Sequence, residues 1–168
     1  MSLECSTNPD DVGTGPLRPA SLHDMTPLGH AALRQLAMKV LAEHSGSAGS
    51  AEALAAAARR AYDHLVRVTT PLIGQVGVDA LTARALHLAH AEYSWLVDAR
   101  ESDQTNEPFA QVIVGLERQN PAIATEGAAA VLAIFAGLLV TFIGQSLTTG
   151  LLRRAWPNAF ADAHTEEP

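Results

Sequence analysis

The sequence holds a single cysteine, Cys5, among its 168 residues. One thiol excludes an intrachain disulfide and any zinc site built from several cysteines. Aromatic residues are scarce as well, 5 % of the chain, although 48 % of it is hydrophobic. The core must therefore come from Leu, Val, Ile and a great deal of Ala, the best helix former and a poor strand former. No segment alternates apolar and polar residues as a half-buried strand would, and no internal repeat is visible. Residues 1–19 have neither the basic start nor the apolar run of a signal peptide, so a cytoplasmic protein is expected.

Positive charge is short. The formal net charge is −7, and the acids concentrate at the ends. Residues 1–25 carry Glu4, Asp10, Asp11 and Asp24 against Arg18, and residues 158–168 carry Asp162, Glu166 and Glu167. Between them stand 11 acids and 10 bases. A near-neutral body lacks the basic footprint of a nucleic-acid binder, so no nucleic-acid partner is expected. Lys39 is the only lysine beside ten arginines, which reads as genome composition.

What the sequence does have is helical periodicity. Three segments are expected: a flexible acidic arm over 1–25, a helical domain over 26–157, and a flexible acidic tail over 158–168. The arm is rich in turn formers, with Asn8-Pro9, Gly13, Gly15-Pro16 and Arg18-Pro19. The fold class is all-α, a compact bundle of about five helices with a long central C-terminal helix. Thr26-Pro27 reads as a cap followed by a first-turn proline, with Leu33, Leu36, Ala37, Val40 and Leu41 on one face. Ser50 caps a second helix whose inner face is Leu54, Ala58, Ala61, Leu65 and Val68. Thr69-Thr70-Pro71 predicts a break, because proline lacks the amide donor and crowds the preceding turn. A third helix is expected from Pro71 to Asp98, with Gly74 and Gly77 as weak points and Val78, Leu81, Ala85, Leu88, Trp95 and Leu96 inside. A polar loop over Ala99–Glu107 precedes a short helix that carries Phe109, Val112, Ile113 and Leu116. Asn120-Pro121 starts the last helix, able to run to Trp156 with a bend at Gly144 or Gly150.

Residues 127–152 contain no charge, and the first part of that stretch is long enough to span a bilayer. Arg153, Arg154 and Trp156 would then anchor it at the interface. The competing expectation is a central helix, apolar all round because neighbours enclose it. Its richness in Ala and Gly and the polar Gln145, Ser146, Thr148 and Thr149 favour that reading. Ala129, Ala133, Gly137 and Thr141 recur every four residues as a ridge of small side chains, which predicts close approach of another helix, from this chain or from a second copy.

Few residues point to chemistry. His87 and His90 lie three apart on one helix face, and His64 on the preceding helix could supply a third metal ligand. The Glu-x-x-His repeats of di-iron bundles and the His-Glu-x-x-His of zinc proteases are both missing. His90 also fits a partly buried core position. Gly77-Val78-Asp79 followed by Ala80, Leu81, Thr82 and Arg84 resembles the turn and second helix of a helix-turn-helix, although Arg84, His87 and His90 would be its only polar readers. Tyr62-Asp63-His64 places a carboxylate beside a base, but consecutive helix residues do not face each other. Arg153-Arg154 could hold an anion, or simply complement the helix dipole. No nucleophile–base pair and no phosphate-cradling glycine loop is present, so no catalytic residue and no cofactor is expected. The expectation is a non-enzymatic module that binds a protein partner, a second copy of itself or a small apolar ligand. A membrane-anchored helical protein is the alternative, and a histidine-based metal enzyme a third.

Overall fold

Alanine and leucine at helical spacing, cut by a few glycines and prolines, give a chain built from helices alone. The computed structural model describes residues 29–47, 49–96 and 107–164, and no strand occurs among them. The order is α1 His30–Ser45, α2 Ala51–Glu92, α3 Pro108–Glu117, α4 Pro121–Ile143 and α5 Gln145–Ala155, then a 3₁₀ segment Pro157–His164. Ser50 caps α2 by accepting from the Ala53 amide, and Asn120 caps α4 by accepting from Ala122. Pro108 and Pro121 occupy first-turn positions, where the missing amide costs nothing. Thr26-Pro27 and the 1–25 arm lie outside the described residues, as does most of the Ala99–Glu107 loop.

The long helix stands in the middle of the chain, not at its C-terminus. α2 spans 42 residues, whereas the expected run from Pro121 to Trp156 is cut into α4 and α5 at Gly144. Gly144 has φ 86° and ψ 161°, a conformation that only glycine adopts without strain.

α2 is itself two rods. The chain stays helical through Pro71 and breaks at Gly74, which has φ 76° and ψ 165°. The expected break at Thr69-Thr70-Pro71 is thus displaced by three residues. Proline's fixed φ is compatible with a helix, while a reversal with positive φ requires glycine. The Thr69 and Thr70 hydroxyls donate to the carbonyls of Leu65 and Val66, keeping the last turn of the first arm closed. Gly77 leaves room for Ile73 across the corner, since a β-carbon there would stand 3.2 Å from that side chain. The second arm ends at Glu92, not Asp98, and Trp95 and Leu96 pack from the turn that follows. Leu88, expected inside, is exposed, because the inner face runs through Leu81, Ala85, Leu86 and Ala89.

α4 sits at the centre and packs against all four other helices. From Gly127 to Ala133 every residue is buried, and Phe135, Ala136 and Leu139 continue the buried face, with Leu132, Phe135 and Leu139 among the largest. Alanine on most of its faces lets neighbours approach closely. Gly127 shows how closely: a β-carbon there would fall 2.4 Å from Cζ2 of Trp95. The folded body continues past residue 157, the expected edge of the domain. In the 3₁₀ segment Ala159 is buried, its carbonyl accepts from Lys39 Nζ, and Arg153 lies over the Phe160 ring.

Candidate functional site

The reversal at Gly74 brings together residues that a straight helix would keep far apart. Tyr62 and Thr82 share a buried hydrogen bond of 2.7 Å, and the Thr82 hydroxyl donates in turn to the Val78 carbonyl. In a continuous helix their α-carbons would be about 30 Å apart. Between the two arms and the start of α3 lies a cavity of about 270 Å³, lined by Tyr62, Asp63, Val66, Gln75, Asp79, Glu107, Pro108 and Phe109.

Its floor is aromatic. Tyr62 stacks on Phe109 with ring centroids 4.0 Å apart, and Phe135 meets Tyr62 edge-on at 6.2 Å. Burial pushes the Tyr62 phenol above its ordinary range, partly offset by its bond to Thr82. The walls carry three carboxylates. Arg59 ties two of them: its Nη1 and Nη2 reach both oxygens of Glu107 at 3.0 Å, and its Nε reaches Asp63 at 3.1 Å. This fork joins the first arm of α2 to the N-terminus of α3 and holds the Glu107 carboxyl below the usual carboxylate range. Asp79 accepts from the Gln75 amide at 2.8 Å. Counted together, the three acids exceed the one arginine by two formal negative charges.

The sequence-predicted metal residues fall elsewhere. His64 is half-buried, with its ring 5.6 Å from that of His44. His90 donates through Nδ1 to the Leu96 carbonyl, which fixes the turn after α2. His87 is half-buried on the second arm. Among the described residues no group of three His, Cys, Asp or Glu side chains stands close enough to hold a metal, so His64, His87 and His90 are not brought together. In Tyr62-Asp63-His64 the carboxylate is engaged by Arg59 rather than by the histidine. The segment resembling a helix-turn-helix forms the second arm of a tight hairpin, with Val78, Leu81 and Thr82 buried and Arg84 exposed.

Along the small-residue ridge, Ala129 and Ala133 are buried and Gly137 faces α1, where Leu33 Cδ1 lies 3.7 Å from the position of an added β-carbon. Thr141, at the far end, is exposed, and its hydroxyl donates to the Gly137 carbonyl. α4 is the one described helix long and apolar enough to cross a membrane, and 56 % of its most apolar stretch is buried within the bundle.

The carboxylate cavity was not legible as a unit. Asp63, Asp79 and Glu107 are spread over three elements, and no local spacing joins them. The available signal was Gly74, the residue able to reverse the chain between the first two. No family model matches the chain, and comparison with curated proteins and with solved structures returns no match either.

Proposed function

We propose that this protein is a non-enzymatic helical binding module, that its ligand site is the cavity at the α2 reversal, and that the ligand is a small organic cation. The observation that carries this reading is the lining: three carboxylates, only two of them answered by Arg59, above a stacked tyrosine–phenylalanine pair. Carboxylates supply directional acceptors for an ammonium or guanidinium group, and aromatic faces attract cations. A wholly apolar ligand would strip water from those carboxylates without replacing their hydrogen bonds. No nucleophile–base pair lines the cavity, which favours binding over catalysis.

The module acts in the cytoplasm under this proposal, and binding couples to the relative position of the two arms and α3. Thermal denaturation with putrescine, agmatine or tetramethylammonium tests it. A ligand specific to the folded state stabilises it by about 2.7 kcal/mol at a hundredfold excess over Kd. At least one of these probes should raise Tm, and Asp79→Asn should remove the rise while leaving the Arg59 fork in place. If none of the three raises Tm, or if the rise survives Asp79→Asn, the reading fails.

A further inference from the structure

Both glycine corners lie at the same end of the bundle. Gly127 of α4 lies against Trp95, just beyond the second arm of α2. Further along, Phe135 meets Tyr62, and Tyr62 is bonded to Thr82. α4 therefore runs antiparallel to the second arm. Eight residues from Phe135 lead to Ile143, and eight residues back from Thr82 lead to Gly74, about 12 Å in each case. α5 returns from the Gly144 corner until Trp156 Nε1 donates to the Ala61 carbonyl at 3.1 Å.

That shared end exposes large apolar side chains, with Gln75 and Ser146 among its exposed polar ones. Val76 is 83 % exposed, Phe142 70 %, Leu147 57 % and Leu72 52 %, and they are the four most exposed large hydrophobic side chains among the described residues. Each stands two or three positions from Gly74 or Gly144. No charged residue occurs in 68–78 or in 127–152. The threonine hydroxyls nearby are already answered by backbone: Thr69, Thr70, Thr141, Thr148 and Thr149 each donate to the carbonyl four residues earlier. Hydroxyls bonded in this way lose little when water is withdrawn.

We propose that this end of the bundle docks into the interfacial layer of a lipid bilayer, with Leu72, Val76, Phe142 and Leu147 as the inserting side chains. A second copy of the chain fits less well. The exposed parts of these four side chains fall short of the roughly 800 Å² that each partner of a stable dimer buries. A bilayer interface demands no shape-matched area, and the gain there scales with the apolar surface inserted. The same end receives the C-terminus of α4, the one described helix apolar enough for membrane. With no cation at the tip, the attraction is apolar and independent of salt.

The test is co-sedimentation of the full chain with phosphatidylcholine vesicles, compared with the double variant Val76→Ser, Phe142→Ser. Wild type should pellet with the vesicles equally at low and high salt. The double variant should partition at least about tenfold more weakly, with unchanged circular dichroism and Tm because both side chains face solvent. In a separate Val76→Trp protein, the added indole emission should shift to the blue on vesicle addition and be quenched by headgroup-region spin labels. The proposal is overturned if wild type remains in the supernatant, if the double variant binds as well as wild type, or if binding collapses in salt. It is also overturned if sedimentation velocity without lipid shows a wild-type dimer that the double variant converts to monomer, which would assign the patch to a second copy.

Discussion

Tyr62 and Thr82 stand on the two arms of α2, twenty residues apart in sequence, yet their hydroxyl oxygens are 2.7 Å apart in the core. The bond clamps the two arms of α2, and its polarity defines an asymmetric pair of substitutions. Thr82 already donates to the Val78 carbonyl, so Tyr62 supplies the proton between them. Tyr62→Phe removes that donor together with its need for a partner and should cost about 1 kcal/mol. Thr82→Val leaves the phenol buried without an acceptor and should cost about 1–3 kcal/mol. Urea melts of both single variants and the double variant measure the coupling. Equal costs, or additive ones, would show that the hydroxyls do not act as a pair.

The corners themselves rest on glycine conformation and not on space. A β-carbon at Gly74 or Gly144 meets nothing within 4 Å, but φ is +76° and +86°. Gly74→Ala and Gly144→Ala should each destabilise by about 1–3 kcal/mol through backbone strain alone. Gly150 lies inside α5, is equally uncrowded and has ordinary helical geometry. Gly150→Ala should therefore stabilise by up to about 1 kcal/mol. Denaturant midpoints of the three variants decide the matter, and a destabilised Gly150→Ala beside a neutral Gly74→Ala would invert the argument.

Much of this fold can be read along the chain because local chemistry marks it. Ser50 and Asn120 cap where they should, and Pro108 and Pro121 start helices. The helical faces led by Leu33, Leu54 and Phe109 are the ones that face the core. The misplaced features share one cause. Pro71 signals a lost hydrogen bond loudly, while Gly74 signals nothing until tertiary packing selects its positive φ. The same ambiguity made Gly144 a possible bend rather than the end of a helix. The cavity follows from the hairpin, so its residues could be grouped only once the reversal was known. His64, His87 and His90 looked related because helix spacing relates neighbours within one rod and says nothing about the next.

Trp95 is wedged between α3 and α4 by two glycines. A β-carbon on Gly127 would stand 2.4 Å from Cζ2 and 2.8 Å from Cη2 of the indole, and one on Gly115 would stand 3.4 Å from Cε3 and Cζ3. Gly127→Ala should cost about 1–3 kcal/mol by overpacking, since the indole also lies against Gly115 of α3. Trp95→Phe removes the clashing ring atoms. In that background Gly127→Ala should be neutral or stabilising, because alanine is the better helix former. A double-mutant cycle reads the difference, and simple additivity would show that the two residues do not touch in solution.

His44, in the last turn of α1, gives the fold an acid-sensitive point. Burial lowers its pKa below the ordinary histidine value, and the neighbouring His64 and Arg60 push the same way, against Glu43. The folded state therefore holds this proton less tightly than the unfolded state. The sign follows: the contribution is fully present above the unfolded value of about 6.5 and is lost as pH falls through the lowered folded value. Stability measured between pH 8 and 5 should drop on the acid side. His44→Gln should flatten part of that slope. An unchanged slope would place the pH dependence on other groups.

Gly137 tests the architecture at its centre. It belongs to the ridge with Ala129 and Ala133, and its neighbour is Leu33 of α1 in the same chain. An added β-carbon would lie 3.7 Å from Leu33 Cδ1, which is ordinary van der Waals contact. Gly137→Ala should therefore fit without movement, gain helix propensity and stabilise by up to about 1 kcal/mol. Gly137→Leu must place three further carbons where Leu33 already sits, and should destabilise by about 1–3 kcal/mol. Leu33→Ala vacates that volume, so Leu33→Ala with Gly137→Leu should recover part of the loss of either single change. Denaturant melts give the energies, and size exclusion should show one elution volume throughout, because the ridge is covered from within the chain at this position. If Gly137→Leu melts like wild type, or if Leu33→Ala fails to relieve it, α1 does not pack against α4 through this pair.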